Sequence, residues 1–64
     1  MIRLSSSAIR AVDYNPWTGI LEVQFTSGSR WYTHPGVPWS IYAGLVNASS
    51  PGGFYHRYIK GRYR

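Results

Sequence analysis

The amino-acid sequence predicts an α+β fold, a small antiparallel three-stranded meander followed by two short helices packed on one face. Residues 20–26 alternate apolar and polar side chains, as a half-buried strand does, and residues 39–48 repeat apolar side chains at helical spacing. Clusters of Gly, Pro, Asn and Ser separate these segments from their neighbours. No linker or internal repeat divides the chain, so residues 1–64 are expected to form a single domain.

Three strands are expected in the first half of the chain. Ala8 to Tyr14 has β-branched and aromatic character and runs into a turn cluster at residues 15–19. Ile20 to Thr26 forms the second strand, and a tight turn at residues 27–29 leads to the third strand, Arg30 to His34. Short connections between successive strands indicate an antiparallel meander.

Two helices are expected in the second half. Pro38 suits the start of a helix, where its missing N–H costs nothing, and Trp39 to Ala48 forms the first helix. The Ser, Pro and Gly residues of 47–53 end that helix, and Phe54 to Lys60 forms the second. The core is expected to contain Leu21, Val23, Phe25, Ile41, Leu45 and Ile59.

The size of the chain and its aromatic content together predict a homo-oligomer. A domain of this length buries only about 60% of the surface that its unfolded chain exposes. Three Trp, six Tyr and two Phe are more rings than so small a core can hide, and the absence of cysteine excludes stabilising disulfides. Some rings are therefore expected at a subunit interface or in a ligand site.

The composition argues against an enzyme, a metal site, a cofactor and a membrane protein. The chain has no cysteine, two histidines and two acids, Asp13 and Glu22, which form no evident acid–base pair. His34 and His56 lack a partner at ligand spacing. No apolar stretch reaches 18 residues, so a soluble, cytoplasmic protein is expected.

The last eleven residues predict binding of a phosphate-bearing ligand. They hold four of the seven cations and no acid, interleaved with aromatic rings, and the whole chain carries a formal charge of +5. We expect phosphates to contact the cations and the backbone of the Ser/Gly turn, and a base to stack on Tyr32, Tyr55 or a Trp. The predicted binding residues are Arg57, Lys60, Arg62, His56, Ser50, Gly52, Gly53, Tyr55 and Tyr32. The alternative is a solvated basic face on a packed helix, with an ordinary turn before it.

The sequence also resembles the KTSC domain, a small module found alone or at the C-terminus of some lysyl-tRNA synthetases. Similar pieces occur in the family's order and spacing along nearly the whole chain. They are Ser6-Ser7-Ala8-Ile9, Tyr14, residues 21–25, Gly28, residues 32–38, residues 50–56 and Ile59-Lys60. Three positions depart from the family pattern, since His34 replaces a Tyr, His56 an Asn and Lys60 an Arg.

Two binding functions follow from the cations, the rings and the resemblance. The resemblance implies an RNA-binding module, for tRNA or single-stranded RNA. The small size and surplus of rings favour instead a small oligomer that sequesters a cyclic or ADP-ribose-type nucleotide signal, as in phage immune evasion. A purely structural or protein-interaction subunit is a third class and would have no affinity for phosphate.

Overall fold

The computed structural model describes residues 2–63, which form an antiparallel sheet with two helices on one face. The sheet has four strands in the order β1-β2-β3-β4, so strands adjacent in sequence are adjacent in space. The elements are β1 Ile2–Arg3, β2 Ile9–Asn15, β3 Ile20–Phe25, β4 Trp31–His34, α1 Trp39–Asn47 and α2 Pro51–Tyr58. The α+β class and the meander are confirmed, with four strands where the sequence predicted three.

Strand β1 is the element that the sequence did not predict. It pairs with β2 through only two residues, Ile2 opposite Val12 and Arg3 opposite Ala11. The main-chain N–H of Leu4 extends the contact by donating to the Arg10 carbonyl at 3.0 Å. A two-residue strand is too short to show alternation, so only its pairing with β2 reveals it.

The register of the strands assigns each residue to one of the two faces of the sheet. Val12 lies opposite Val23, which lies opposite Tyr32, and this row faces the helices. The neighbouring row of Asp13 and Glu22, opposite each other, points away from the helices. The helices therefore cover one face, and both acids of the chain lie on the other.

The core lies between the covered face of the sheet and the two helices. Its buried members are Ile9, Val12, Leu21, Val23, Val37, Tyr42, Leu45, Tyr55 and Ile59. Four of the six predicted core residues, namely Leu21, Val23, Leu45 and Ile59, are fully buried. The other two, Phe25 and Ile41, are only half-buried and pack against the margin of the core.

Helix α2 begins three residues before the predicted start at Phe54. Ser50 caps it, because the Ser50 hydroxyl accepts a hydrogen bond from the Gly53 N–H at 3.4 Å, and Pro51 follows in the first turn. The helix ends at Tyr58, two residues before the predicted end. The Ser/Gly segment predicted as a turn before the helix is thus its cap and first turn. Within residues 2–63, no helix is long and apolar enough to cross a membrane.

Gly52 fixes how closely α2 approaches the sheet. It is buried, and a Cβ added to it would lie 2.7 Å from the Cβ of Ala8, which is closer than two carbon atoms can pack. Gly52 is therefore required for packing, which explains a glycine inside a helix despite its low helical propensity.

We expect Gly52→Ala to lower the free energy of unfolding by about 1–2 kcal/mol, because overpacking that costs up to about 3 kcal/mol outweighs the gain of about 1 kcal/mol that alanine brings to a helix. Adding Ala8→Gly removes the clashing methyl group and should restore much of the loss. Urea denaturation of the two variants measures both effects. A Gly52→Ala protein as stable as the parent would contradict the close approach.

Candidate functional site

The exposed basic side chains of α2 and the segment after it form a basic surface, defined here by His56, Arg57, Lys60 and Arg62. All four side chains are exposed. Within residues 2–63, the charged ends of Arg57, Lys60 and Arg62 make no hydrogen bond or ion pair. Their donors therefore remain available to an anionic ligand.

An open cleft of about 370 Å³ lies where α1 ends and α2 begins. Arg57 supplies its positive charge, two serines supply hydroxyl groups, and Tyr58 supplies a ring that is 41% exposed. The lining residues are Ala48, Ser49, Ser50, Gly53, Phe54, Arg57 and Tyr58. A guanidinium beside an exposed phenol ring is suited to a group that is both anionic and planar.

Two aromatic rings of α2 form one wall of this cleft. The ring centroids of Phe54 and Tyr58, one helical turn apart, are 4.6 Å from each other and their planes are tilted by 42°. Phe54 packs against α1 at Gly44, where an added Cβ would lie 2.6 Å from the Phe54 ring. Because α1 anchors Phe54 and Phe54 supports Tyr58, the exposed ring is held in place.

The cleft brings together three of the predicted binding residues, Ser50, Gly53 and Arg57. His56, Lys60 and Arg62 lie on the basic surface outside it. Tyr32 lies in β4, in edge contact with the Phe25 ring at 5.4 Å, and does not line the cleft. The predicted residues are thus divided between the cleft, the basic surface, the core and β4.

The structure leaves few backbone N–H groups available for the predicted phosphate cradle. Pro51 has no N–H, the Gly53 N–H is already bonded to the Ser50 hydroxyl, and Gly52 is buried against Ala8. Phosphate binding in this cleft would therefore depend on side chains, above all on Arg57.

Tyr55 is 5% exposed and belongs to the core, so its ring is not available for stacking on a base. Its hydroxyl lies 2.9 Å from Nε2 of the buried His34, and Nδ1 of His34 lies 2.6 Å from the Tyr63 carbonyl oxygen. Because the carbonyl only accepts, Nδ1 donates to it and the Tyr55 hydroxyl donates to Nε2. This chain of hydrogen bonds joins α2, β4 and the C-terminal segment.

Phe54 and Tyr58 are absent from the predicted binding residues, because in a helix over residues 54–60 the helical period places both on one stripe with Tyr55 and Ile59, which favours burial. In the structure the row facing the sheet consists of Gly52, Tyr55 and Ile59, and the Phe54–Tyr58 row faces the end of α1. Gly44, a glycine in the middle of the first predicted helix, was the available signal, because it makes room for a large ring from a neighbouring helix.

A second cleft, of about 420 Å³, lies at the β2–β3 hairpin and is lined by both acids, Asp13 and Glu22. Carboxylates repel phosphate, so this cleft does not suit the predicted ligand. Within residues 2–63, no group of three His, Cys, Asp or Glu side chains is placed to hold a metal ion.

Burial raises the pKa of the Tyr42 and Tyr55 phenols above their ordinary value of 10.0, and the charge of Asp13 raises that of Tyr42 further. A phenol that holds its proton more tightly in the folded state stabilises the fold below that value and stops doing so at higher pH. We expect the free energy of unfolding to fall as the pH rises above about 10.

Tyr42→Phe removes one of these two phenols and should make this alkaline loss less steep, because fewer protons are then released on unfolding. Urea denaturation of the parent and of Tyr42→Phe across the alkaline pH range measures how steeply the free energy of unfolding falls with pH in each. The loss of charge from Lys and Arg at high pH affects both proteins equally. Equal slopes would show that Tyr42 does not contribute.

Comparison with known proteins agrees with the resemblance of the motifs. The family model described as the KTSC domain matches residues 5–63. The crystal structure of a KTSC domain protein from Yersinia pestis superposes with a TM-score of 0.92 and 33% identity, over 98% of this chain and 87% of that one.

Two curated relatives differ greatly in length. A lysine–tRNA ligase of Nostoc sp. is 36% identical over the whole of this chain, which spans only 11% of that enzyme. An uncharacterized protein of Stutzerimonas stutzeri is 34% identical over 97% of this chain and 86% of its own length. Similar sequences thus occur both as a small part of a large enzyme and as most of a small protein. The match over residues 5–63, and relatives of similar length, show that the chain belongs to the KTSC domain family.

Proposed function

We propose that the protein binds RNA through its basic surface, with Arg57 and Tyr58 at the centre of the contact. The observation that carries this proposal is the open cleft in which an unpaired guanidinium lies beside an exposed, supported aromatic ring. Phosphate contacts and stacked bases are the two interactions by which proteins bind single-stranded nucleic acid.

The distribution of charge supports this surface as the side that RNA approaches. Both acids lie on the opposite face of the sheet or at its hairpin, so within residues 2–63 no carboxylate opposes a phosphate at α2. Lys60 and Arg62 extend the positive charge along the chain beyond Arg57, which suits a strand of several phosphates better than one anion.

Single-stranded segments fit this site better than a duplex. In duplex RNA the bases are stacked on each other, whereas loops and single strands have bases that can stack on an aromatic ring. The cleft next to Tyr58 has room for one such base. The similarity of the whole chain to part of a lysine–tRNA ligase favours the single-stranded loops of tRNA as the natural form of the ligand.

Sequestration of a small cyclic or ADP-ribose-type nucleotide, the function that the sequence favoured, stays a prediction and is the second candidate here. It requires a pocket that encloses the ligand, whereas the cleft of one copy is open to solvent. A second copy would have to supply the missing wall. In either form the protein acts by binding, and its non-enzymatic nature and cytoplasmic location stay predictions.

We expect Arg57→Ala to weaken binding of a labelled single-stranded oligoribonucleotide by about 1.5–3 kcal/mol, because a charge-assisted contact to a phosphate is lost. The dependence of log K on log salt concentration should become shallower by about 0.7, the share of one phosphate. Fluorescence anisotropy across a salt series measures both. Arg3→Ala is the matched control, since it removes the same charge from the opposite face of the sheet. Equal losses in both variants would mean that binding follows net charge alone.

We expect Tyr58→Ala to cost about 1–3 kcal/mol of RNA affinity through lost stacking, with no change in the salt dependence. Trp17→Ala removes a ring that is 92% exposed at the hairpin, away from the site, and should leave the affinity unchanged.

Calorimetry with cyclic dinucleotides and ADP-ribose distinguishes nucleotide sequestration from RNA binding, because sequestration predicts saturation at a fixed number of ligands per oligomer. If the oligoribonucleotide does not bind and none of these nucleotides gives heat, only the structural or protein-interaction class is left.

A further inference from the structure

Strand β4 is an edge strand, paired with β3 on one side only. It is also the longer of the two edges, since β1 has two residues. Within residues 2–63, no hydrogen bond outside the β3–β4 ladder involves the main chain of Trp31 or Thr33. The outer side of β4 is thus open to another strand.

The alternation of main-chain groups identifies the residues that point to this open side. The Thr26 N–H donates to the Ala8 carbonyl at 3.0 Å, which directs the main chain of even-numbered β3 residues toward β2. Odd-numbered β3 residues therefore bond to the β4 residues opposite them, Tyr32 and His34. The N–H and C=O groups of Trp31 and Thr33 consequently point outward.

Strand β4 itself contains no Lys, Pro or bulge, and the nearest cation is Arg30 just before it, whose guanidinium lies 5.5 Å from the centroid of the Tyr32 ring. Natural edge strands carry Lys, Pro or a bulge. Trp31, Tyr32 and Thr33 are uncharged, belong to residue types that favour strands, and lie in regular register with β3. Tyr32 is 43% exposed at the side of the sheet that the helices cover. The edge is suited to pairing along its whole length.

We propose that β4 pairs antiparallel with β4 of a second copy, with Tyr32 opposite Tyr32, so that two four-stranded sheets become one continuous sheet. In this register the outward N–H and C=O groups of Trp31 lie opposite those of Thr33 from the other copy. The same pair occurs twice, once on each side of the two Tyr32 residues. The pairing forms roughly four main-chain hydrogen bonds. Residues directly opposite have their side chains on the same face, so the helices of both copies lie on one side.

A second copy is the occupant that this strand fits best, because the strand is complementary to itself. Trp31 and Thr33 are two residues apart, so the same strand reversed presents an acceptor to every outward donor. Pro35, which lacks a donor, lies beyond the paired residues, and Arg30 does not oppose its own copy. Opposed Tyr32 rings also bury aromatic surface that one copy leaves exposed.

This interface is separate from the RNA site, so the two proposals fail independently. The dimer uses β4, and the RNA contact uses α2. Each copy carries a formal charge of +5, so added salt should strengthen self-association by screening repulsion, whereas it weakens RNA binding.

Sedimentation equilibrium over a range of concentrations tests the dimer with Thr33→Pro. This substitution removes one outward N–H and leaves the β3 ladder intact, because proline is tolerated where the N–H of an edge strand faces outward. The parent chain of 7.3 kDa is expected at twice that mass, and Thr33→Pro at the mass of one chain. Thr33→Val is the matched control, since it loses the same hydroxyl but keeps the N–H, and it should remain a dimer. The proposal would be overturned if the parent protein had the mass of one chain at every concentration, or if Thr33→Pro had the mass of two.

A cross-linking experiment tests the register and does not depend on the folding of Thr33→Pro. Residues opposite each other in a non-hydrogen-bonded pair have Cα atoms about 4.5 Å apart, within the range of a disulfide. The chain has no cysteine, so Tyr32→Cys carries the only thiol and should form a covalent dimer on mild oxidation. Thr18→Cys, in the exposed hairpin turn, should remain monomeric on denaturing gels. Equal cross-linking of the two variants would refute the pairing.

Discussion

The docking of α2 on the sheet is the contact on which the rest of the structure depends. Two interactions fix it, the close approach of Gly52 to Ala8 and the hydrogen bond from Tyr55 to the buried His34. The glycine contact sets the distance between α2 and the sheet. The hydrogen bond sets the rotation of α2 about its axis, because leaving these buried polar groups unbonded would be costly. With this face of α2 turned inward, Arg57 is left on the exposed side.

The pieces of sequence that carry the family resemblance mostly serve this framework rather than a ligand. The Ser6 hydroxyl accepts from the Ala8 and Ile9 N–H groups at the entry to β2. The Tyr14 hydroxyl donates to the Val37 carbonyl at 2.7 Å and so ties β2 to the segment before α1. Tyr55, in the matching segment 50–56, ties α2 to β4 through the hydrogen bond of its hydroxyl with His34. Membership of the family is therefore a statement about the fold, and function has to be argued from the surface.

Local patterns in the sequence predicted the parts of the fold that local physics determines. Strand β3 shows clean alternation, and the start of α1 follows Pro38, so both were predicted within a residue or two. The binding site was harder, because which face of α2 is buried depends on a glycine contact with Ala8, more than forty positions earlier in the chain. Burial of Tyr55 and exposure of Tyr58 follow from that distant contact, and no helical periodicity distinguishes the two tyrosines.

The one-sided arrangement of helices connects the two proposed surfaces. Antiparallel pairing of β4 keeps the covered faces of both copies on the same side of the continuous sheet, so two basic surfaces would face the same way. A strand of RNA that reaches both would bind the second as an intramolecular step, which raises affinity without any new contact. A chain of 64 residues has few cations to offer a long ligand. The proposed edge pairing would thus enlarge the binding surface of so small a domain.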